Sequence, residues 1–509
     1  MRSKNALRNL VVSLAYEVFL LALGLIVPRF IILSYGDSIN GLTQTINRLL
    51  TLVNLLQAGA VGASIFQMLK PVADNDVKTQ SEILYASKKF FDRMGIIYLA
   101  IVSACAVFYG FYLQDDNLSV IEVILSFMVL AVNGALYFFF TSRHDIVFSS
   151  YQKKYLLTVA SFVEKIAYYI LLFLVIWGEL HFIFMYLALL AGGIVRVLIN
   201  SYSYHKLVGK TISRNPENKD FKIKDRKFLM LASISDQTIA AAPTVIITTA
   251  ISLAASSVFS VYSMIYISMK TLINSVHHAV SAIFGNLVTT GDDANIRRVF
   301  DVLLYVFCML GAFLASCSAF LFMNFIELYS DGFTEINYIE PVLACFIVAY
   351  IAIFAIKTVF NFVANAYGLF KLTFKATIIF GAIGLLCSII STIILGMPYV
   401  MIGVLIYHVG TTCILIASFI KQIPWFKINS RWLPRLVITA ILPMASWILY
   451  KADVFFLDGW LGWFITAVIY ALAVITVILI YTVIFERDSL SILLGYVKAI
   501  FKSKKKVNP

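Results

Sequence analysis

Among the charged side chains inside otherwise apolar stretches, Glu17, Arg29, Arg48, Asp236 and Lys270 are the ones whose types could do chemistry. At bilayer depth a charge costs at least about 2.5 to 3.5 kcal/mol, so such residues usually face a protein interior or a watery cavity. An arginine fork meets phosphate or carboxylate oxygens through two parallel N–H groups, while a lysine supplies a mobile point charge. Arg29, Arg48 and Lys270 together therefore suit an anion, and a pyrophosphate better than an organic cation. Two other readings stay open for each: pairing with a nearby acid, or snorkelling toward the interface. Snorkelling is easy for Arg29, a few residues before the turn at Tyr35-Gly36-Asp37-Ser38. It is harder for Arg48, ten residues past Ser38, or about 15 Å along a helix.

Glu17 and Asp236 are the candidates for coupling to an ion, H+ or Na+. A buried carboxylate can change its charge as access to a cavity alternates. A salt bridge to a cavity cation is the equally good alternative. Lys357 and Arg196 sit toward the inner ends of their apolar runs and read as structural, as do Asp92 and Asp301, each three residues after a basic pair. His277 and His278 read as interfacial. The six cysteines lie within apolar runs without C-x-x-C spacing, and no nucleophile, Walker-type or zinc-ligand pattern assembles around the histidines. No metal and no enzymatic reaction is expected.

The elements that must position these charges follow from composition. Of the 509 residues, 61% are hydrophobic and 13% charged, against about 25% charged in an ordinary soluble protein, and the mean hydropathy is +0.90. The fold class is all-α polytopic membrane protein. Hydropathy with turn and charge breaks places fourteen transmembrane spans near 9–34, 39–67, 90–112, 119–141, 155–177, 181–204, 228–252, 257–286, 299–324, 339–366, 372–395, 398–420, 436–452 and 460–486. The basic start and first span are expected to be retained rather than cleaved, given Glu17 and the lack of a small-residue cleavage site.

With both termini cytoplasmic, 33 of the 40 Lys and Arg fall in inner segments, six fall within spans, and Lys451 alone lies outside. This asymmetry supports an N-in, C-in orientation. It also accounts for the net charge of +13 through contact with anionic inner-leaflet lipids, with no need for nucleic acid.

Sliding the chain on itself gives a weak internal repeat with an offset near 219, which sets Glu17 beside Asp236; at an offset of 209, Lys88-Lys89-Phe90-Phe91-Asp92 meets Arg297-Arg298-Val299-Phe300-Asp301. Six spans per repeat is even, so the halves form a parallel repeat able to rock about an axis along the membrane normal. The expected organisation is an N-lobe (1–205, six spans), a basic cytoplasmic linker (206–227), a C-lobe (228–424, six spans), two further C-terminal spans (425–486) and an amphipathic basic tail (487–509).

The stretches Tyr35-Gly36-Asp37-Ser38-Ile39-Asn40-Gly41-Leu42-Thr43, Gln57-Ala58-Gly59-Ala60-Val61-Gly62-Ala63-Ser64, Lys70-Pro71-Val72-Ala73-Asp74-Asn75 and Tyr151-Gln152-Lys153-Lys154-Tyr155 resemble the polysaccharide-transporter branch of the MOP (multidrug/oligosaccharidyl-lipid/polysaccharide) exporter superfamily. The resemblance runs over essentially the whole chain. It implies a flippase of the bacterial cytoplasmic membrane that moves an undecaprenyl-pyrophosphate-linked oligosaccharide to the outer leaflet for capsule, O-antigen or teichoic-acid-like polymers. A polysaccharide polymerase and glycosyltransferases would be its partners. In related lipid II flippases, basic residues of the first, second and eighth spans line the cavity, and Arg29, Arg48 and Lys270 fall in those spans. The rival readings are a cation-coupled multidrug exporter of the same superfamily and a non-transporting scaffold of a polysaccharide assembly complex.

Overall fold

In this computed structural model the described residues run from 2 to 492, less 114, 116–117, 210, 214–215, 217, 219–220, 222–225, 289–290 and 454–456. Side chains are described except for 1–11, 13, 14, 18, 21, 53–59, 226–237, 278–279, 281–283, 286 and 370. The basic tail is thus described only to residue 492, and the Asp236 side chain and His278 lie outside the described residues.

Among the described residues the chain is helical throughout, with no β-strand. The helices are α1 (Arg2–Tyr35), α2 (Asp37–Ala73), α3 (Val77–Tyr112), α4 (Val120–Leu136), α5 (Ser142–Ser150), α6 (Tyr155–Trp177), α7 (Ile183–Val208), α8 (Arg226–Ala250), α9 (Leu253–Val288), α10 (Asp293–Ser330), α11 (Pro341–Ala366), α12 (Phe370–Leu395), α13 (Met401–Gln422), α14 (Trp432–Lys451) and α15 (Gly459–Phe485). A π-helical turn, Tyr137–Thr141, joins α4 to α5, so the two run as one element. Each expected span lies on one of these helices.

Apolar side chains leave water cheaply, and a helix satisfies its own backbone groups, so a run of about 20 apolar residues settles as a membrane-spanning helix. Among the described residues eleven elements are long and apolar enough to cross a bilayer, which makes this a multi-pass membrane protein. Helices α2, α8 and α9 carry Asn40, Arg48, Asp236 and Lys270 with rows of serine and threonine.

Contacts divide the chain into two compact units, Met1–Ser260 and Val261–Pro509, with the boundary inside α9. In unit 1, α3 pairs with α4 and α6 with α7, and α2 runs along α8. Phe127, Tyr98, Phe138, Phe148 and Tyr186 fill its interior. In unit 2, α10 pairs with α11 and α12 with α13.

Unit 2 is built around α10, 72% of whose apolar window is buried, whereas α15 buries 17%. Helices α14 and α15 rest on α10 and present Leu461, Phe464, Ile448 and Met444 outward, as lipid-facing helices must. At the start of α10 five rings, Phe300, Phe360, Trp425, Phe426 and Trp432, pack at tilted and edge-on angles. Such contacts add to their area burial. Where α12 crosses α13, a Cβ on Gly403 would collide with the Gly384 carbonyl oxygen. Small residues of this kind let membrane helices approach backbone to backbone.

Candidate functional site

The turn at Gly36 (φ +86°) is glycine because that backbone conformation disfavours a Cβ. It delivers Asp37 and Ser38 to the start of α2, and the next turns of that helix carry a polar row into unit 1. Asn40 Nδ2 donates to Ser257 Oγ at 2.7 Å and to Ser260 Oγ at 3.2 Å. One turn along, the Thr45 hydroxyl is 2.6 Å from that of Thr248 on α8 and 3.5 Å from that of Ser256. Gly41 sits between them, where a Cβ would strike the Leu253 carbonyl oxygen. Serine, threonine, asparagine and glycine thus form a buried polar seam joining α2 to α8 and to the first turns of α9. Nearby, Ser38 donates to Asp115 at 2.6 Å, and the Tyr112 hydroxyl donates to the Thr249 carbonyl at 2.6 Å.

Arg48 lies on the same helix, eight residues past Asn40, or about 12 Å deeper. It is half-buried and makes no ion pair among the described residues. Arg29 is half-buried on α1, next to the helix-internal Pro28. Both belong to unit 1. Lys270 is half-buried on α9 in unit 2, its Nζ 5.4 Å from the centroid of the Phe354 ring. Glu17 is exposed on α1 and has no ion pair among the described residues.

The structural residues behave differently. Arg196 on α7 pairs with Glu164 on α6 at 3.0 Å, and Asp92 pairs with Lys88 at 2.8 Å. Asp301 accepts from the Trp432 indole at 3.4 Å.

Unit 2 also holds a cluster that sequence reasoning missed. Lys357 Nζ lies 3.2 Å from His408 Nδ1 and 4.2 Å from the Tyr407 ring centroid. Tyr350 and Phe354 meet the His408 ring edge-on, with centroids at 5.1 and 5.8 Å. Phe354 touches both this pair and Lys270, so two lysines and four aromatic rings are brought together. The two members of the pair are 51 positions apart on separate helices, and no spacing rule connects them.

No protein-family model matches the chain, and no curated protein matches it. Solved structures do. A lipid II flippase MurJ in an inward closed conformation superposes with a TM-score of 0.70 over 94% of this chain and 100% of its own, at 15% identity. The chain has the MOP exporter fold. An inward-facing multidrug resistance MATE family transporter of the MOP superfamily matches the same fold with a TM-score of 0.61, 13% identity and coverage of 84% of this chain and 98% of its own. A MOP superfamily transporter from Pyrococcus furiosus, described as having a binding pocket of reverse polarity, matches with a TM-score of 0.53, 13% identity and coverage of 86% and 95%. These relatives in fold are all transporters, and identities this low establish the MOP exporter architecture alone.

Proposed function

We propose that this protein is a flippase, not an enzyme, carrying a polyprenyl-pyrophosphate-linked oligosaccharide from the inner to the outer leaflet of the bacterial cytoplasmic membrane by alternating access. The observation that carries this reading is Arg48, a half-buried guanidinium inside a membrane helix with no ion pair among the described residues. Such a guanidinium offers a pyrophosphate the charge and fork geometry that lipid withholds, and Arg29 in unit 1 and Lys270 in unit 2 are the further candidate cations. In this reading the glycan occupies the wet cleft and the polyprenyl tail stays in lipid. The chain crosses the membrane fourteen times with both termini inside, and its six-span lobes rock while the last two helices ride outside them. Glu17 or Asp236 couples the cycle to H+ or Na+. A polymerase and glycosyltransferases act beside it.

A cation-coupled multidrug exporter is the second reading. The MATE-like fold and the exposed intrahelical Glu17 favour it. The two part on one experiment. Arg48→Ala should abolish surface polysaccharide at matched protein level while lipid-linked precursor accumulates. Undiminished surface glycan in that variant would overturn the flippase reading.

A further inference from the structure

Away from the cations of α1, α2 and α9, the inner end of unit 1 holds a cavity of about 300 Å³ between the early part of α3, α5 and the end of α7. Since a water occupies about 30 Å³ in the liquid, this is room for a phosphate group with part of its hydration. Tyr85 and Lys88 line it from α3, Arg143 from α5, Tyr204 and His205 from α7, and Ser213 from the start of the linker. No Asp or Glu lines it among the described residues. Lys88 pairs with Asp92 at 2.8 Å, and both side chains are substantially exposed, so that pair is easily exchanged for a better anion.

Arg143 is the unusual member. Its guanidinium carbon lies 5.2 Å from the centroid of the Tyr204 ring. Its Nε is buried, with no hydrogen-bond partner among the described residues. A guanidinium resting on an aromatic face keeps its N–H edge free for a planar, doubly accepting ligand, and leaving such a donor buried and unmet is costly. The linker closes one side of the cavity, held by the Ser213 amide, which donates to Ser81 Oγ at 3.0 Å.

A second observation comes from the repeat. Lys88-Lys89 aligns with Arg297-Arg298, and in unit 2 that pair lines another cavity, of about 340 Å³, together with Arg431 and Arg435. There Asp301 and Asp488 share the lining, Arg435 is consumed by Glu486 at 2.6 Å and Arg431 by Asp488 at 3.1 Å. The aligned basic positions thus line a cavity in both units, with carboxylates in the lining in unit 2 and none in the lining in unit 1 among the described residues.

We propose that the cavity of unit 1 is a phosphate-ester binding site, with Arg143 forking onto two phosphate oxygens and Lys88 and His205 completing the cradle. It is independent of the transport cargo. The phosphate could arrive on the headgroup of an anionic inner-leaflet lipid or free in solution, and the chemistry is shared.

The test uses the full-length protein in neutral detergent, titrated calorimetrically with short-chain phosphatidylglycerol, short-chain phosphatidylcholine and inorganic phosphate. Saturable binding is expected for phosphatidylglycerol, for inorganic phosphate or for both. Binding of phosphatidylglycerol alone assigns the site to lipid; equal binding of inorganic phosphate assigns it to a soluble anion. Arg143→Gln should weaken that binding about tenfold, the loss of one charge-assisted contact, and Arg143→Lys by less. Lys153→Gln with Lys154→Gln, which removes two inner charges outside the cavity, should leave it unchanged. If Arg143→Gln does not fold, Lys88→Gln and His205→Gln at exposed positions carry the same expectation. Wild-type affinity in the cavity variants, equal loss in the Lys153/Lys154 control, or no saturable binding to the wild type would overturn the site.

Discussion

Arg435 shows what a single residue does here and why it could not be read in advance. By sequence it is one more cation in the basic stretch 421–435 that precedes the thirteenth apolar run. In the fold its side chain is 1% exposed and clamped bidentately by Glu486, at 2.6 and 2.8 Å, while its third nitrogen donates to the Asp301 carbonyl at 2.9 Å. Glu486 also accepts from Ser489 at 2.6 Å. Removing one partner of such a pair strands the other as a buried charge, which costs about 3 to 5 kcal/mol. Arg435→Ala should therefore lower the thermal midpoint of the detergent-solubilised protein markedly. Replacing both partners with apolar residues, Arg435→Met with Glu486→Leu, should recover most of it. An unchanged midpoint in Arg435→Ala would show that the clamp is not what holds α14 and the end of α15 to α10. Such pairs were illegible because the partners are 51 positions apart and each looks solvated on its own helix. The intramembrane charges Arg29, Arg48 and Lys270 were legible for the opposite reason: apolar neighbours make a charge conspicuous.

Helices were the most legible level. A run of apolar residues in lipid has one stable backbone solution, and each of the fourteen expected spans lies on a helix. Their ends were less legible. Helix α3 begins at Val77, capped by the Asp76 side chain, which accepts from the Thr79 amide and hydroxyl. That is thirteen residues before the apolar run, because a helix continues into water where hydropathy falls silent. The close crossings were hidden too, since a glycine in a helix says nothing of what faces it. Two glycines of α2 make this testable. At Gly41 a Cβ would meet the Leu253 carbonyl oxygen, whereas at Gly62 it would meet nothing within 4 Å. Gly41→Ala should destabilise the α2–α9 seam by about 1 to 3 kcal/mol, as overpacking does. Gly62→Ala should be neutral or stabilising by up to about 1 kcal/mol, the helix-propensity gain. Equal midpoints for the two variants in thermal unfolding would contradict the packing described for α2.

At the scale of the whole molecule, the charge distribution and the fold tell one story. Most of the basic residues lie outside the apolar runs, the interiors of the units are apolar and aromatic, and the exceptions are a few cations within those runs together with the Lys357–His408 cluster. The MOP exporter fold is shared by proteins that handle different cargo, so fold cannot choose among them and the charges must. The central claim is that cations inside these helices grip a pyrophosphate. Its most direct measurement is equilibrium binding of a short-chain polyprenyl pyrophosphate to the purified full-length protein and to Arg48→Ala, with the uncharged polyprenol as reference. The account predicts binding of the pyrophosphate that weakens about tenfold or more in the variant, as expected for losing a charge-assisted fork, and little binding of the polyprenol to either. Equal affinity of wild type and Arg48→Ala for the pyrophosphate would contradict it.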